Sequence, residues 1–190
     1  MTPLLLASWI AASGPGPSFA CGAVKAASIE ALICRDPELA RLDRQLASVV
    51  AAARAKAGNE RPPQLQSTQL AWRRGRDACR QSADARSCVR RSYRERTAEL
   101  QAQYRLVPMV GQGRFQCGAS PADALLASFF QTDPASLIAE RGDRTAFLLV
   151  QPSGSGARYG GGGVDFWEHQ GEVRLRWGAG SPELRCRRLP

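Results

Sequence analysis

The run Ser153-Gly-Ser155-Gly156-Ala-Arg158-Tyr159, followed by Gly160 to Gly163 and then Phe166-Trp167, gathers a small hydroxyl, a fixed cation and an amphipathic ring on glycine-rich backbone. Glycine reaches φ > 0 and lets backbone approach a partner closely, and a serine hydroxyl donates and accepts at once. Such a segment suits recognition, as a polar loop presented to a partner. The same residues also fit a hairpin connection with Tyr159 and Phe166-Trp167 turned inside. Local composition leaves both readings open.

Catalysis finds no comparable support. There is one histidine, His169, and no G-x-S-x-G or H-E-x-x-H context around it or any serine. The six cysteines, Cys21, Cys34, Cys79, Cys88, Cys117 and Cys186, form no C-x-x-C pair and have only His169 to join them as a nitrogen ligand. Disulfides are therefore favoured over zinc or redox chemistry, with no metal and no cofactor expected. Three bridges leave no free thiol, so the chain is read as a binding protein, not an enzyme.

The first twenty residues set the compartment. Pro3 to Ala12 is an apolar run too short to span a bilayer, followed by Gly/Pro breakers and Ser18-Phe19-Ala20. This is a signal-peptide pattern over 1–20, with Ser18 at −3 and Ala20 at −1 of a cleavage site before Cys21. A periplasmic or secreted product without a transmembrane segment follows. Acylation of Cys21 is less favoured, because Ser18 and Phe19 fit a lipobox poorly and a lipidated Cys21 would leave an odd number of thiols.

The charge is unevenly divided. Residues 1–106 carry 17 Lys+Arg against 9 Asp+Glu, a net of +8, whereas 107–190 carry 9 against 8, a net of +1. All the basic residues except Lys25 and Lys56 are arginine. A solvated helix face is the plain account, and an anionic envelope surface is the functional one. Nucleic acid is not expected as a partner: the arginines are interspersed with acids, no aromatic stacking platform or helix-turn-helix is evident, and the leader directs the chain outward.

The elements that must position these groups divide in the same place. Asp36-Pro37-Glu38 is a helix start with an N-cap, a proline at N1 and an acid in the first turn. Leu39, Leu42, Leu46, Val49, Val50 and Ala53 then form one apolar stripe ending near Gly58-Asn59. A short turn of helix precedes it over Ser28 to Cys34. After Pro62-Pro63, Gln64–Arg80 carries Leu65, Gln69, Trp72, Arg76 and Cys79 at helical spacing, and Cys88–Tyr104 places Tyr93, Arg96/Thr97, Leu100 and Tyr104 on one side. This is an antiparallel helical domain, 21–106. Cys79 and Cys88 fall at facing helix ends, where a bridge is easily made; Cys21 with Cys34 is the matching pair, although four cysteines allow three pairings.

Past a linker at 107–112 the period changes. Phe115, Leu125 to Phe130, Ala146 to Val150, Val164 to Trp167 and Val173 to Trp177 are short apolar or alternating runs between Gly, Asp, Pro and Ser, which predicts antiparallel β structure over 113–190. Val173, Leu175 and Trp177 alternate with Arg174 and Arg176, a half-buried strand with an arginine-bearing outer face. A bridge between Cys117 and Cys186 ties the ends of a small barrel and stabilises it by roughly 4 kcal/mol in the loop-entropy picture.

Two resemblances follow from these residues. Phe115-x-Cys117, Ser128-Phe-Phe with Asp133, Ser155-Gly-Ala-Arg-Tyr159, Phe166-Trp167 and Cys186 resemble the MliC/PliC family of bacterial envelope inhibitors of c-type lysozyme, over 113–188. The resemblance implies an eight-stranded antiparallel barrel closed by one disulfide. Ser18-Phe-x-Cys21, Ile33-Cys34-x-Asp36-Pro-Glu-Leu39-x-x-Leu42-Asp43, Gln69-x-x-Trp72-x-x-x-Arg76-Asp77-x-Cys79, Cys88 and Tyr93-x-x-Arg96 resemble the LprI helical domain, over about 18–104. Members of that family have been linked to lysozyme inhibition, but here its motif residues read as structural, with Trp72 and Tyr93 as core and Arg76 and Asp77 as ion-pair or cap groups.

In the MliC-like family the serine loop enters the lysozyme cleft, and a lysine in a following F-W-x-K-G segment adds a second contact. The resemblance assigns Ser155 as the inserted residue, Gly156 as the point of close approach, and Arg158 and Tyr159 as its flanks. A glycosidase of this type holds one carboxyl protonated and one ionised, and a serine hydroxyl can accept from the first while donating to the second. Phe166-Trp167-Glu168-His169-Gln170-Gly171 departs from the pattern, placing His169 where the lysine would stand. Imidazole carries full charge only below neutral pH, so inhibition weaker than that of a lysine-bearing relative, strengthening in mild acid, is expected. The competing reading of the same loop is an envelope binding module for peptidoglycan or an endogenous lytic enzyme.

Overall fold

The computed structural model describes residues 15–57 and 63–190. The expected leader run Pro3–Ala12 and the Gly58-Asn59 stop lie outside them. Four helices come first: α1 Ile29–Arg35, α2 Pro37–Lys56, α3 Pro63–Asp77 and α4 Ala85–Gln103. The starts of α1, α2 and α4 have a chemical cause. Ser28 Oγ accepts from Ala31 N–H, Asp36 accepts from Glu38 and Leu39 N–H at 2.9 and 3.1 Å, and Asp84 accepts from Ser87 N–H at 2.9 Å. Each satisfies donors that a helix leaves open. The Asp84 cap sets α4 one turn earlier than the apolar spacing indicates.

The stripe of Leu39, Leu42, Leu46, Val50 and Ala53 is buried against Ile29, Ile33, Val89, Tyr93 and Leu100. Inside this core runs a polar chain. Arg76 Nη1 donates to Tyr93 Oη at 3.0 Å, and Tyr93 O–H donates to Asp43 Oδ1 at 2.8 Å. Arg76 also pairs with Glu30 and Asp77, and the Trp72 ring stands edge-on to Tyr93 at 5.2 Å. Burial, with the Asp43 carboxylate acting the same way, pushes the Tyr93 phenol well above its ordinary range, outweighing Arg76, so it remains a neutral donor. The motif residues of the helical part thus serve its core. Cys21–Cys34 and Cys79–Cys88 are disulfides, as is Cys117–Cys186, and no described cysteine is free.

Eight strands follow: β1 Met109–Gln116, β2 Ala124–Phe130, β3 Ser136–Arg141, β4 Arg144–Gln151, β5 Ala157–Gly161, β6 Val164–His169, β7 Glu172–Trp177 and β8 Leu184–Arg188. They close in sequence order into an antiparallel barrel. β1 begins at Met109, within the stretch expected as linker, so residues 104–108 join α4 to the barrel. The closing seam between β1 and β8 is short, with Phe115 opposite Arg188 and Gln116 opposite Arg187. Cys117–Cys186 continues that seam, with Cα atoms 3.9 Å apart. The interior holds Phe115, Leu125, Leu148, Phe166 and Leu175.

The helical part rests on the barrel. Arg94 pairs with Asp133 in the β2–β3 connection, the Arg105 guanidinium lies 5.8 Å over the Phe130 ring, and Lys56 Nζ donates to the Arg105 carbonyl at 2.6 Å.

Candidate functional site

The glycine-rich run resolves into a loop and a hairpin. Residues 152–156, the β4–β5 connection, are exposed, whereas 157–161 form β5 and pair with both neighbours. Tyr159 points inward and meets Phe129 at 5.6 Å and Phe166 at 6.3 Å, and burial raises its phenol above the ordinary value. The presented-loop reading therefore holds for Ser153, Ser155 and Gly156, and the hairpin reading for Tyr159 and Phe166. Trp167 fits neither. With Val164 and Phe166 turned into the barrel, strand pleating puts Asp165, Trp167 and His169 on the outside.

Trp167 acts on the loop. Its Nε1–H donates to the Ser155 carbonyl at 2.9 Å, and Ser153 Oγ donates to the same oxygen at 2.6 Å. Two donors on one carbonyl fix the peptide that carries Ser155, while the Ser155 hydroxyl has no hydrogen-bond partner among the described residues. Gly156 completes the anchor. Its φ is +65°, and a Cβ there would stand 2.1 Å from the Glu168 carbonyl oxygen and 3.2 Å from His169 Cβ. Only glycine permits the loop to lie this close to β6, and the approach brings Ser155-Gly156 beside His169.

Arg158, on β5, faces out and makes two bonds to Asp165 at 2.9 and 3.0 Å. That carboxylate raises the guanidinium above its ordinary value and holds it along the hairpin. A further cation was missed as a site residue: the Arg174 guanidinium stacks 5.0 Å over the Trp167 ring. Arg158, Trp167, Arg174 and Arg185 occupy consecutive register positions across β5 to β8. The alternation of Val173-Arg-Leu-Arg-Trp177 already marked this face as arginine-bearing; nothing local connected it to the serine loop. His169 stands opposite Glu172 and next to Trp167, ring centroids 6.1 Å apart. Ser155, Gly156, Arg158, Trp167, His169 and Arg174 thus gather on one flank of the barrel, with Tyr159 behind them.

Comparison with known proteins divides the chain as the fold does. Residues 21–100 match the family model described as lysozyme inhibitor LprI, and residues 115–184 the model described as membrane-bound lysozyme-inhibitor of c-type lysozyme, MliC. Proteins named Lipoprotein LprI from Mycobacterium tuberculosis and Mycobacterium bovis are each 34% identical over 148 residues, covering 77% of this chain and 73% of theirs. No solved structure matches significantly. A relative of that identity and coverage places the chain in the LprI family of lysozyme inhibitors, with a second half of the MliC type.

Proposed function

We propose that this protein inhibits c-type lysozyme by seating the 152–156 loop in the enzyme's active-site cleft, so that it acts by occlusion and not by turnover. The observation that carries this reading is the fixed Ser155 peptide: its carbonyl is held by Trp167 and Ser153 while its hydroxyl is left for a partner. A loop already in its bound shape loses less conformational freedom on binding. Between one protonated and one ionised carboxyl, the Ser155 hydroxyl accepts from the first and donates to the second. Arg174, stacked on Trp167, supplies a permanent positive charge on the face that carries the loop. The envelope or the exterior is the place of action, where a lysozyme reaches the cell wall.

Lysis of a cell-wall suspension by a c-type lysozyme tests the reading. The wild-type protein is expected to inhibit in proportion to dose, a folded, fully disulfide-bonded Ser155→Trp variant to be inactive, and Arg174→Ala to be weakened. Absence of inhibition by the wild type over about pH 5.5–7.5, the range in which histidine titrates, would refute it and leave another envelope ligand as the occupant of the loop.

A further inference from the structure

Residues 15–19, upstream of the expected cleavage point, are built into the helical fold. Asp43 is 8% exposed, and its two oxygens are fully used: Oδ1 takes the Tyr93 O–H, while Oδ2 takes both Ser18 N–H and Ser18 Oγ–H at 2.6 Å. Asp43 belongs to the buried chain that continues through Tyr93 to Arg76, Glu30 and Asp77. Phe19 packs against the helical core. Arg44 Nη1 meets the Pro15 and Gly16 carbonyls. A chain beginning at Cys21 would lack the contacts made by Pro15, Gly16, Ser18 and Phe19 and would leave a mostly buried carboxylate oxygen, Asp43 Oδ2, without its donors, a costly state.

We propose that processing cuts upstream of this segment, by hydrolysis of the Ser13–Gly14 peptide bond, so that Ser18 and Phe19 stay in the mature protein and Cys21 carries no lipid. Ala11 and Ser13 supply the small residues at −3 and −1 that a signal peptidase requires, directly after the apolar run. Water is the co-reactant; the products are a Ser13 carboxylate on the released leader and a Gly14 ammonium on the mature chain. Acylation at Cys21 requires that residue to become the new N-terminus with its sulfur bonded to lipid. Here its sulfur is bonded to Cys34, and Pro15, Gly16, Ser18 and Phe19 before it are docked. Although its relatives are named lipoproteins, the geometry points to a released protein whose N-terminal segment caps a buried carboxylate.

The test is expression of the full precursor in a bacterial host, with the N-terminus of the exported product read by sequencing and intact mass, and its partition between detergent and aqueous phases. A product starting at Gly14, aqueous and with no alkylatable thiol, is expected. Blocking substitutions add a reciprocal readout: Ser13→Leu should prevent maturation and Ala20→Leu should leave it unchanged. A product starting at Cys21, acylated or not, or arrest of maturation by Ala20→Leu alone, would overturn the proposal.

Discussion

Replacing Gly156 by alanine, with Gly162→Ala as the matched control, isolates the contact on which the serine loop rests. Both glycines sit in the left-handed region, at φ +65° and +56°. Alanine at either therefore pays the same backbone penalty, about 1–2 kcal/mol. They differ in surroundings. A Cβ on Gly162 has nothing within 4 Å, whereas one on Gly156 falls 2.1 Å from the Glu168 oxygen, a backbone atom of a paired strand that cannot rotate away. To recover the 3.4 Å at which ordinary contact begins, the loop must shift by about 1.3 Å. That displacement exceeds the tolerance of a hydrogen bond. Losing one bond from Ser155 to an ionised carboxyl, about 1.5–3 kcal/mol, corresponds to roughly 10- to 150-fold weaker inhibition. Inhibition constants measured at equal folded fraction, with urea unfolding run beside them, give the comparison. Gly162→Ala should lose stability and keep its inhibition constant; Gly156→Ala should lose both. Equal inhibition by the two variants would refute the claim that the approach to β6 sets the position of Ser155.

Trp167→Phe keeps a ring under Arg174 but removes the donor to the Ser155 carbonyl, and should weaken inhibition roughly 2- to 12-fold, the value of about 0.5–1.5 kcal/mol for one neutral bond; calorimetric binding to lysozyme reads it directly, and an unchanged constant would show that Ser153 alone suffices. Asp36 gives the acid dependence of the helical part. Burial raises its pKa, but the Arg86 guanidinium and the Leu39 and Glu38 N–H groups outweigh it and hold the carboxyl below its ordinary value. Its stabilisation is therefore complete above about pH 4 and lost as pH falls through the lowered folded-state value. Asp36→Asn caps a helix equally well, so it should flatten this part of the acid limb; superimposable unfolding curves for variant and wild type on acidification would disprove the assignment.

The helices were legible because their determinants are local. Asp36-Pro37-Glu38 and the stripe from Leu39 to Ala53 lie within a few turns of one another, and the structure matches them nearly residue for residue. The barrel was legible in part. Val173, Leu175 and Trp177 showed their pleat by alternation, but β3, with Leu137-Ile138-Ala139 as a short apolar triplet, carried no period, and β5 is so rich in glycine that its sequence reads as loop. The outward turn of Trp167 was not legible at all. It depends on which partner faces each residue of β6, and Phe166 and Trp167 are equally apolar. The same limit hid the role of Ser18. Its partner Asp43 is 25 residues away, and a helical stripe says nothing of which polar group will sit beneath an upstream segment.

Charge bears on how such an inhibitor reaches its target. The surplus of +8 lies in the helical half, and most of the acids described there are already paired: Glu30 and Asp77 with Arg76, Asp36 and Glu38 with Arg86, Glu95 with Arg91, Glu99 with Arg96. Arginine dominates the charge that faces solvent, and the ion pair with Asp133 and the stacking on Phe130 hold that half against the barrel. A basic enzyme of the kind the MliC resemblance implies is repelled at long range, though beyond about 8 Å salt at physiological strength screens most of this. Rim and distant charges act chiefly on the rate of association. Tight inhibition by this chain must then rest on slow dissociation, governed by short-range contacts and by how little the loop has to rearrange. In the proposed mode of binding, the burden falls on the three groups that hold the Ser155 peptide in place, Gly156 against Glu168, Trp167 Nε1 and Ser153 Oγ, and not on the arginines that dominate the composition.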